Sequence, residues 1–369
     1  MKTIPLPQNI PELTSLRFIA AAIVMAFHYA LAFAPDALAA TGILGKGNLG
    51  VDFFFVLSGF ILMHVYCGAH EAGRFHYLDF LWARLARIYP LHLATTLIAI
   101  VVLLAAFKLG GIKDDPVYAD FVVKTLLMVH AWGTVDHFGL NAPSWSISAE
   151  WAAYLAFPLF LGVAMALRAR PLAFTATAVA ALFGADALAR ATIGKGVTDL
   201  SYDFGILRIG AEFLFGCALH ALARSLILSS TGSAAALAIS GVATLVLLHL
   251  RAPDLLVVLA MGGVILAAAL RARAAPGPRA LAHPALVYLG EISYAVYLTH
   301  RLVEYAIVDL LGPLTGFTPT GLTAIAIAVP ATLAAAAALH HAIERPARAL
   351  LRGAPPSSWS LRLAGAQRN

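Results

Sequence analysis

Arg17 and His28 stand eleven residues apart in an otherwise apolar stretch, residues 13–34, LTSLRFIAAAIVMAFHYALAFA. Eleven residues make about three helical turns, so both side chains fall on one face, roughly 16 Å apart along the axis. An arginine at the centre of a membrane-spanning helix costs about 2.5–3.5 kcal/mol on insertion scales. Polar side chains kept in such helices face a bundle interior or a watery cavity and mark function. The pair therefore offers a cation and an imidazole at two depths of one interior path. Imidazole is the side chain whose ordinary pKa best suits proton transfer near neutral pH.

Other residues add to this pair. The next apolar stretch opens GNLGVDFFFVLSGFIL, with Asp52 near its start. Antiparallel helices joined by a short connection are expected to be neighbours, which puts His28 and Asp52 at similar depth. A carboxylate on one ring nitrogen would fix the tautomer and leave the other nitrogen as a base. The plainer reading is an Asp that caps its own helix. PSWSISAEWAAYLAFP carries Trp145, Ser146 and Glu150 at the same depth. Glu150 would orient a substrate hydroxyl or the imidazole. Trp145 and Trp151 would stack on a sugar ring, or simply belt the interface as aromatics do in membrane proteins.

Between these stretches, HEAGRFHYLDFLWARLARIYP holds Arg74, Arg84 and Arg87. Guanidinium groups bind phosphate through paired hydrogen bonds; attraction to acidic lipid headgroups is the alternative. YLGEISYAVYLTHRLVEY crowds Glu291, Ser293, His300, Arg301 and Glu304 onto one helix. His300 and Glu304 share a face. They either line the cavity or satisfy a buried polar network. His340 and His341 are adjacent and point apart, so no metal site is expected. Neither G-x-x-x-x-G-K nor G-x-G-x-x-G occurs, so no nucleotide-cradling loop is indicated.

The elements that hold these residues follow from composition. The 369 residues are 61% hydrophobic and 12% charged. That is the composition of an all-α, polytopic transmembrane bundle, and the alternation of a barrel is absent. One membrane domain, residues 1–352, is expected, with 353–369 a loose cytoplasmic tail. Ten spans are read at about 13–34, 48–68, 88–108, 145–167, 171–190, 206–224, 233–250, 255–271, 285–311 and 320–341. Segment 119–132 contains Lys124 and is short, so it is expected as a re-entrant or interfacial helix. Ten spans put both termini on one side. That side collects 16 of the 25 Lys and Arg, which makes it cytoplasmic. The net charge of +6 is spread as membrane topology requires and does not suggest nucleic acid. Cys67 and Cys217 read as small core residues. Ala37-Leu38-Ala39 resembles a signal-peptide cleavage site, but the apolar run before it is too long and holds Arg17 and His28.

Taken together, these segments resemble the acyltransferase family 3 of integral membrane acyltransferases, over about residues 12–348. Arg17 and His28 look like that family's R-x10-H motif. GVDFFFVLSGF (50–60), RLARIYP (84–90), WSISAEWAAY (145–154), ISYAVYLTH (292–300) and ERP (344–346) are similar to further motifs, in the family's order. The resemblance implies an O-acyltransferase of the bacterial inner membrane. Acetyl-coenzyme A, or another acyl-coenzyme A, would be the co-substrate, with no tightly bound cofactor. The acceptor would be a hydroxyl of a carbohydrate or glycolipid, such as a cell-surface or exported polysaccharide; some relatives modify macrolides. On this reading His28 is catalytic, oriented by Asp52 or Glu150. Arg84, Arg87 and Arg74 meet the coenzyme's phosphates, and Arg17 lies along its pantetheine arm. Trp145, Ser146 and His300 would contact substrate.

Two departures bear on the acceptor. Many members carry paired glutamates where Ala149 here precedes a single Glu150. Many also carry a periplasmic hydrolase-like domain after the membrane part, whereas a stand-alone form is expected here. A secondary transporter remains the rival class, with His28, Asp52, Glu150 and Glu304 as a proton relay. Against it, no inverted repeat is visible.

Overall fold

Pro11 opens the first helix, at a position where the missing N–H has no helical partner to lose. In the computed structural model, which describes residues 4–114, 116–275 and 279–353, this helix is α1 (Pro11–Phe33). It is followed by α2 (Gly50–Glu71), α3 (Tyr77–Lys108), α4 (Ala119–Leu126), α5 (Trp145–Leu155) and α6 (Phe157–Leu167). Then come α7 (Pro171–Thr192), α8 (Gly205–Ala223), α9 (Ser230–His249) and α10 (Asp254–Ala274). The chain closes with α11 (Pro284–Tyr305), α12 (Gly321–Leu339) and α13 (Arg345–Arg352). Among the described residues there is no strand. The expected tail, from residue 354 on, lies outside the described residues.

Among the described residues, eight helices are long and apolar enough to cross a membrane, and α5 with α6, bent by 57°, makes a ninth when the pair is counted as one span. The stretch 145–167 is thus two helices at an angle rather than one straight helix. The break falls at Ala156, just before Pro158, whose ring cannot continue the preceding hydrogen-bond ladder. The span expected at 285–311 is present as α11. It carries Glu291, Arg301 and Glu304, falls short on apolarity alone, and packs between α1, α3 and α12. Segment 119–132 folds only as the eight-residue α4 and a loop. Eight residues rise about 12 Å, well short of a bilayer. Helix α3 starts at Tyr77, eleven residues before the expected span. Arg84 and Arg87 therefore sit in the first three turns of a 32-residue helix, one turn apart.

The bundle has two ends. The starts of α1 and α3 share one, called here the arginine end. Residues 109–144 gather at the other, the loop end. Close approaches set which helices touch. A Cβ on Gly290 of α11 would lie 2.0 Å from the carbonyl oxygen of Thr14 on α1. A Cβ on Gly216 of α8 would lie 1.9 Å from that of Val56 on α2. Both pairs can pack backbone to backbone only because these positions are glycine. The two crossings bring α11 against α1 and α8 against α2, and they decide the partners of His28 and Asp52.

Candidate active site

His28 sits five residues before the end of α1 and is partly buried. Its Nδ1 lies 3.0 Å from the carbonyl oxygen of Val24 and 3.2 Å from Nε2 of His300. A carbonyl only accepts hydrogen bonds, so Nδ1 carries the proton. Nε2 then keeps a lone pair, and among the described residues it has no hydrogen-bond partner. His300 is fully buried on α11. The hydroxyl of Tyr29 donates to its backbone carbonyl at 3.1 Å and also meets Thr332 of α12. Three helices therefore hold the histidine pair in place. His300 was expected to contact substrate; the structure places it behind His28, where it touches the catalytic candidate instead.

His28 borders a cavity of about 750 Å³ at the loop end. Trp145, Arg208, Tyr297 and Arg301 border it further in, and Tyr118, Phe138, Tyr202, Lys195, Asp114 and Asp199 toward the loops. Arg301 is paired with Glu304, and its guanidinium lies 5.0 Å from the centre of the Tyr305 ring.

Asp52 does not orient His28. Both of its oxygens accept from Arg208 of α8, through Nε at 3.0 Å and through Nη2. Arg208 also donates to the carbonyl of Leu200 at 3.1 Å and lies over the Trp145 ring at 5.2 Å. Asp52 and Arg208 are 0% and 3% exposed, so this is a buried, bidentate ion pair. The expected neighbourhood failed for a reason visible in the packing. α1 meets α11 along its length at Gly290, and α2 turns its Asp52 face toward α8. Trp145, 8% exposed, has one face taken by Arg208 and its edge contact with Phe55, so it is not an open stacking platform. Arg208 escaped the sequence reading because it sits near a span boundary. The usable signal was an intramembrane acid, Asp52, that lacked a cation.

A second cavity of about 120 Å³ opens toward the arginine end. Arg17, Arg84, Arg87, Ser58, Ser146, Glu150, Tyr154 and Tyr294 line it. The Oε1 of Glu150 accepts from Ser58 at 2.9 Å and Tyr154 at 2.6 Å. Glu150 is therefore on the arginine side and not beside His28. Ser146 is there too, and donates to the Tyr297 hydroxyl at 2.9 Å. Arg87 is paired with Glu344, and its guanidinium lies 5.1 Å from the Tyr294 ring centre. Arg84 donates to the Tyr66 hydroxyl at 3.3 Å. Among the described residues Arg17 has no hydrogen bond or ion pair. Arg74 is exposed in the turn between α2 and α3 and borders neither cavity. Val51 and Tyr297 border both cavities, so they form the partition between Arg17 and His28. Tyr297, one turn before His300, is the second residue that sequence reasoning missed.

The site sets an imidazole facing one chamber and a group of cations facing the next, with one residue layer between. Among the described residues, no three His, Cys, Asp or Glu side chains group as a metal site requires.

The family model described as "Acyltransferase domain" matches residues 10–341. The chain is 32% identical to acyltransferase MdmB of Streptomyces mycarofaciens, over 93% of this chain and 92% of that one. It is 29% identical to the peptidoglycan O-acetyltransferase OatA of Listeria monocytogenes, over 41% of this chain. A putative peptidoglycan O-acetyltransferase, YrhL of Bacillus subtilis, is also 29% identical, over 42% of this chain. Each of the last two matches covers 24% of the relative. No solved structure matches the chain. The chain belongs to the acyltransferase 3 family and is a membrane-embedded O-acyltransferase.

Proposed function

We propose that the enzyme moves an acetyl group from acetyl-coenzyme A, bound from the cytoplasm at the arginine end, to a carbohydrate hydroxyl held in the loop-end cavity. The observation that carries this reading is the two chambers along α1. Arg17 borders one and His28 the other, and they meet at Val51 and Tyr297. Arg84 and Arg87 stand at the outer part of the arginine chamber and suit phosphate groups. The roughly 16 Å from Arg17 to His28 is a reach suited to an extended pantetheine arm.

In this mechanism the acceptor hydroxyl gives its proton to Nε2 of His28 as its oxygen attacks the thioester carbonyl. The carbon–sulfur bond then breaks, and the imidazolium returns the proton to the leaving thiolate. The products are an ester and free coenzyme A. His300 and the Val24 carbonyl keep His28 in the tautomer with a basic Nε2. Tyr297, at the partition, donates to the Pro143 carbonyl at 3.2 Å; rotation of that hydroxyl toward the thioester would make it the donor we assign to the carbonyl oxygen. The carbohydrate reading of the acceptor is supported by open aromatic faces, Tyr118 and Phe138 being 52% and 51% exposed, beside Asp114 and Asp199.

The test is thioester consumption by the detergent-solubilised protein with acetyl-coenzyme A and a panel of oligosaccharides. Release of free thiol matched by ester formation is expected. Intact acetyl-coenzyme A across the panel, in protein stabilised by the donor, would remove carbohydrate from the reading. Lack of any donor-induced stabilisation would remove acyl-coenzyme A as well.

A further inference from the structure

The arginine end holds more positive charge than the donor chamber uses. Helix α13 is docked on the start of α3, where Trp82 Nε1 donates to the carbonyl of Leu351 at 2.8 Å. The same segment supplies Glu344, which pairs with Arg87 and also meets His340 Nδ1 at 2.9 Å. One turn on, α13 presents Arg348, and one further turn brings Arg352, on the same face. Arg87, Arg352, Arg84 and Arg17 all lie near enough to Arg348 to repel its charge. The two acids close by are already engaged, Glu344 with Arg87 and His340, and Glu150 with Ser58 and Tyr154. The Nε atoms of Arg348 and Arg84 are buried and, among the described residues, have no hydrogen-bond partner. Like charges this close repel, and buried guanidinium donors left unpaired are unfavourable. An anion relieves both.

The cations lie in two layers. Arg17, Arg84 and Arg87 border the inner chamber; Arg348 and Arg352 do not. Arg352 is exposed at the outer rim. A coenzyme A donor also presents its phosphates in two places. Its diphosphate adjoins the pantetheine arm, and its ribose phosphate lies farther from the thioester. We infer that Arg348 and Arg352 of α13 form a second phosphate subsite, which takes the ribose phosphate while the inner layer takes the diphosphate. This inference rests on the donor reading above. A phospholipid headgroup offers the same chemistry, and the experiment separates the two sources.

The experiment measures binding of acetyl-coenzyme A and of acetyl-dephospho-coenzyme A, which lacks only the ribose phosphate, to the full chain in lipid-free detergent. The native protein is expected to prefer acetyl-coenzyme A by roughly tenfold or more, the size of one charge-assisted contact. The variant with Arg348→Ala and Arg352→Ala should bind the two donors equally. The variant with Arg84→Ala and Arg87→Ala should bind both more weakly and keep the preference. Native protein that does not distinguish the donors overturns the subsite and leaves the donor reading intact; this arm needs no variant to fold. So does an Arg348/Arg352 variant that keeps the preference and instead loses stabilisation by phosphatidylglycerol, which would make α13 a lipid anchor. Failure of the native protein to bind either donor overturns both.

Discussion

His28 and His300 face each other across α1 and α11, with Nδ1 of the first 3.2 Å from Nε2 of the second. The Val24 carbonyl, 3.0 Å from the same Nδ1, decides which nitrogen is protonated. His28 is therefore held by a helix carbonyl and a second histidine, with no carboxylate hydrogen-bonded to it among the described residues. Replacing His28 by Ala should lower transfer by about 10²–10⁴-fold, the usual worth of a positioned base. Donor-induced stabilisation should persist. Near-native turnover in a folded variant would end the assignment.

His300 acts through His28, since it is fully buried. His300→Phe keeps the ring volume and removes the nitrogen. Turnover should fall about tenfold or more, because a small misplacement of a reacting group is expensive in rate. The KM for donor should hold, and the acidic limb of the pH–rate profile should move with the changed environment of His28. A loss of melting temperature with an unmoved profile would make His300 a packing residue only.

Asp52 and Arg208 form a buried pair, and buried Glu212 of α8 lies 3.9 Å from the Arg208 Nε. Asp52→Asn leaves Arg208 with Glu212 alone and should destabilise the fold by about 1–3 kcal/mol, and the joint change of Asp52→Leu, Arg208→Met and Glu212→Leu should recover much of that. Thermal melts in detergent decide it. Lost turnover at an unchanged melting temperature would instead return Asp52 to the chemistry.

Arg84→Ala with Arg87→Ala should raise the KM for acetyl-coenzyme A by roughly tenfold or more. An unchanged KM would assign these arginines to lipid headgroups.

His130, in the loop after α4, is 2% exposed. Its Nε2 lies 3.1 Å from Ser144 Oγ, and its ring is parallel to that of His92. Burial, with His92 alongside, pushes its pKa down to about 3, against about 6.5 when unfolded. Above pH 6.5 neither state takes up the proton. Between about 6.5 and 3 the unfolded chain binds it and the folded chain does not, so stability falls as pH drops, by up to about 1.4 kcal/mol per unit. Hydrogen-exchange protection factors across residues 119–148, corrected for the intrinsic exchange rate at each pH, should fall below pH 6. His130→Phe should flatten that dependence; an equal dependence in the variant would place the titrating group elsewhere.

Much of this was legible in the chain. Helix periodicity alone placed Arg17 and His28 on one face three turns apart, and the apolar runs located the long helices. The cost of charge in a bilayer marked Arg17, His28, Asp52 and Glu150 as interior, since only interior positions tolerate them. These are local properties, set by spacing and by transfer free energy, so the order of residues suffices. Partners are different. Which helix faces which depends on close approaches at Gly290 and Gly216, between residues 276 and 160 positions apart in sequence. Those contacts put His300 behind His28 and Arg208 on Asp52. They also set Glu150 in the chamber opposite His28 and brought Arg348 from the end of the chain to Arg84. The assumption that sequence neighbours are also site neighbours broke down because a bundle this large gives each helix several faces to bury. Side-chain packing, not connection length, chose among them.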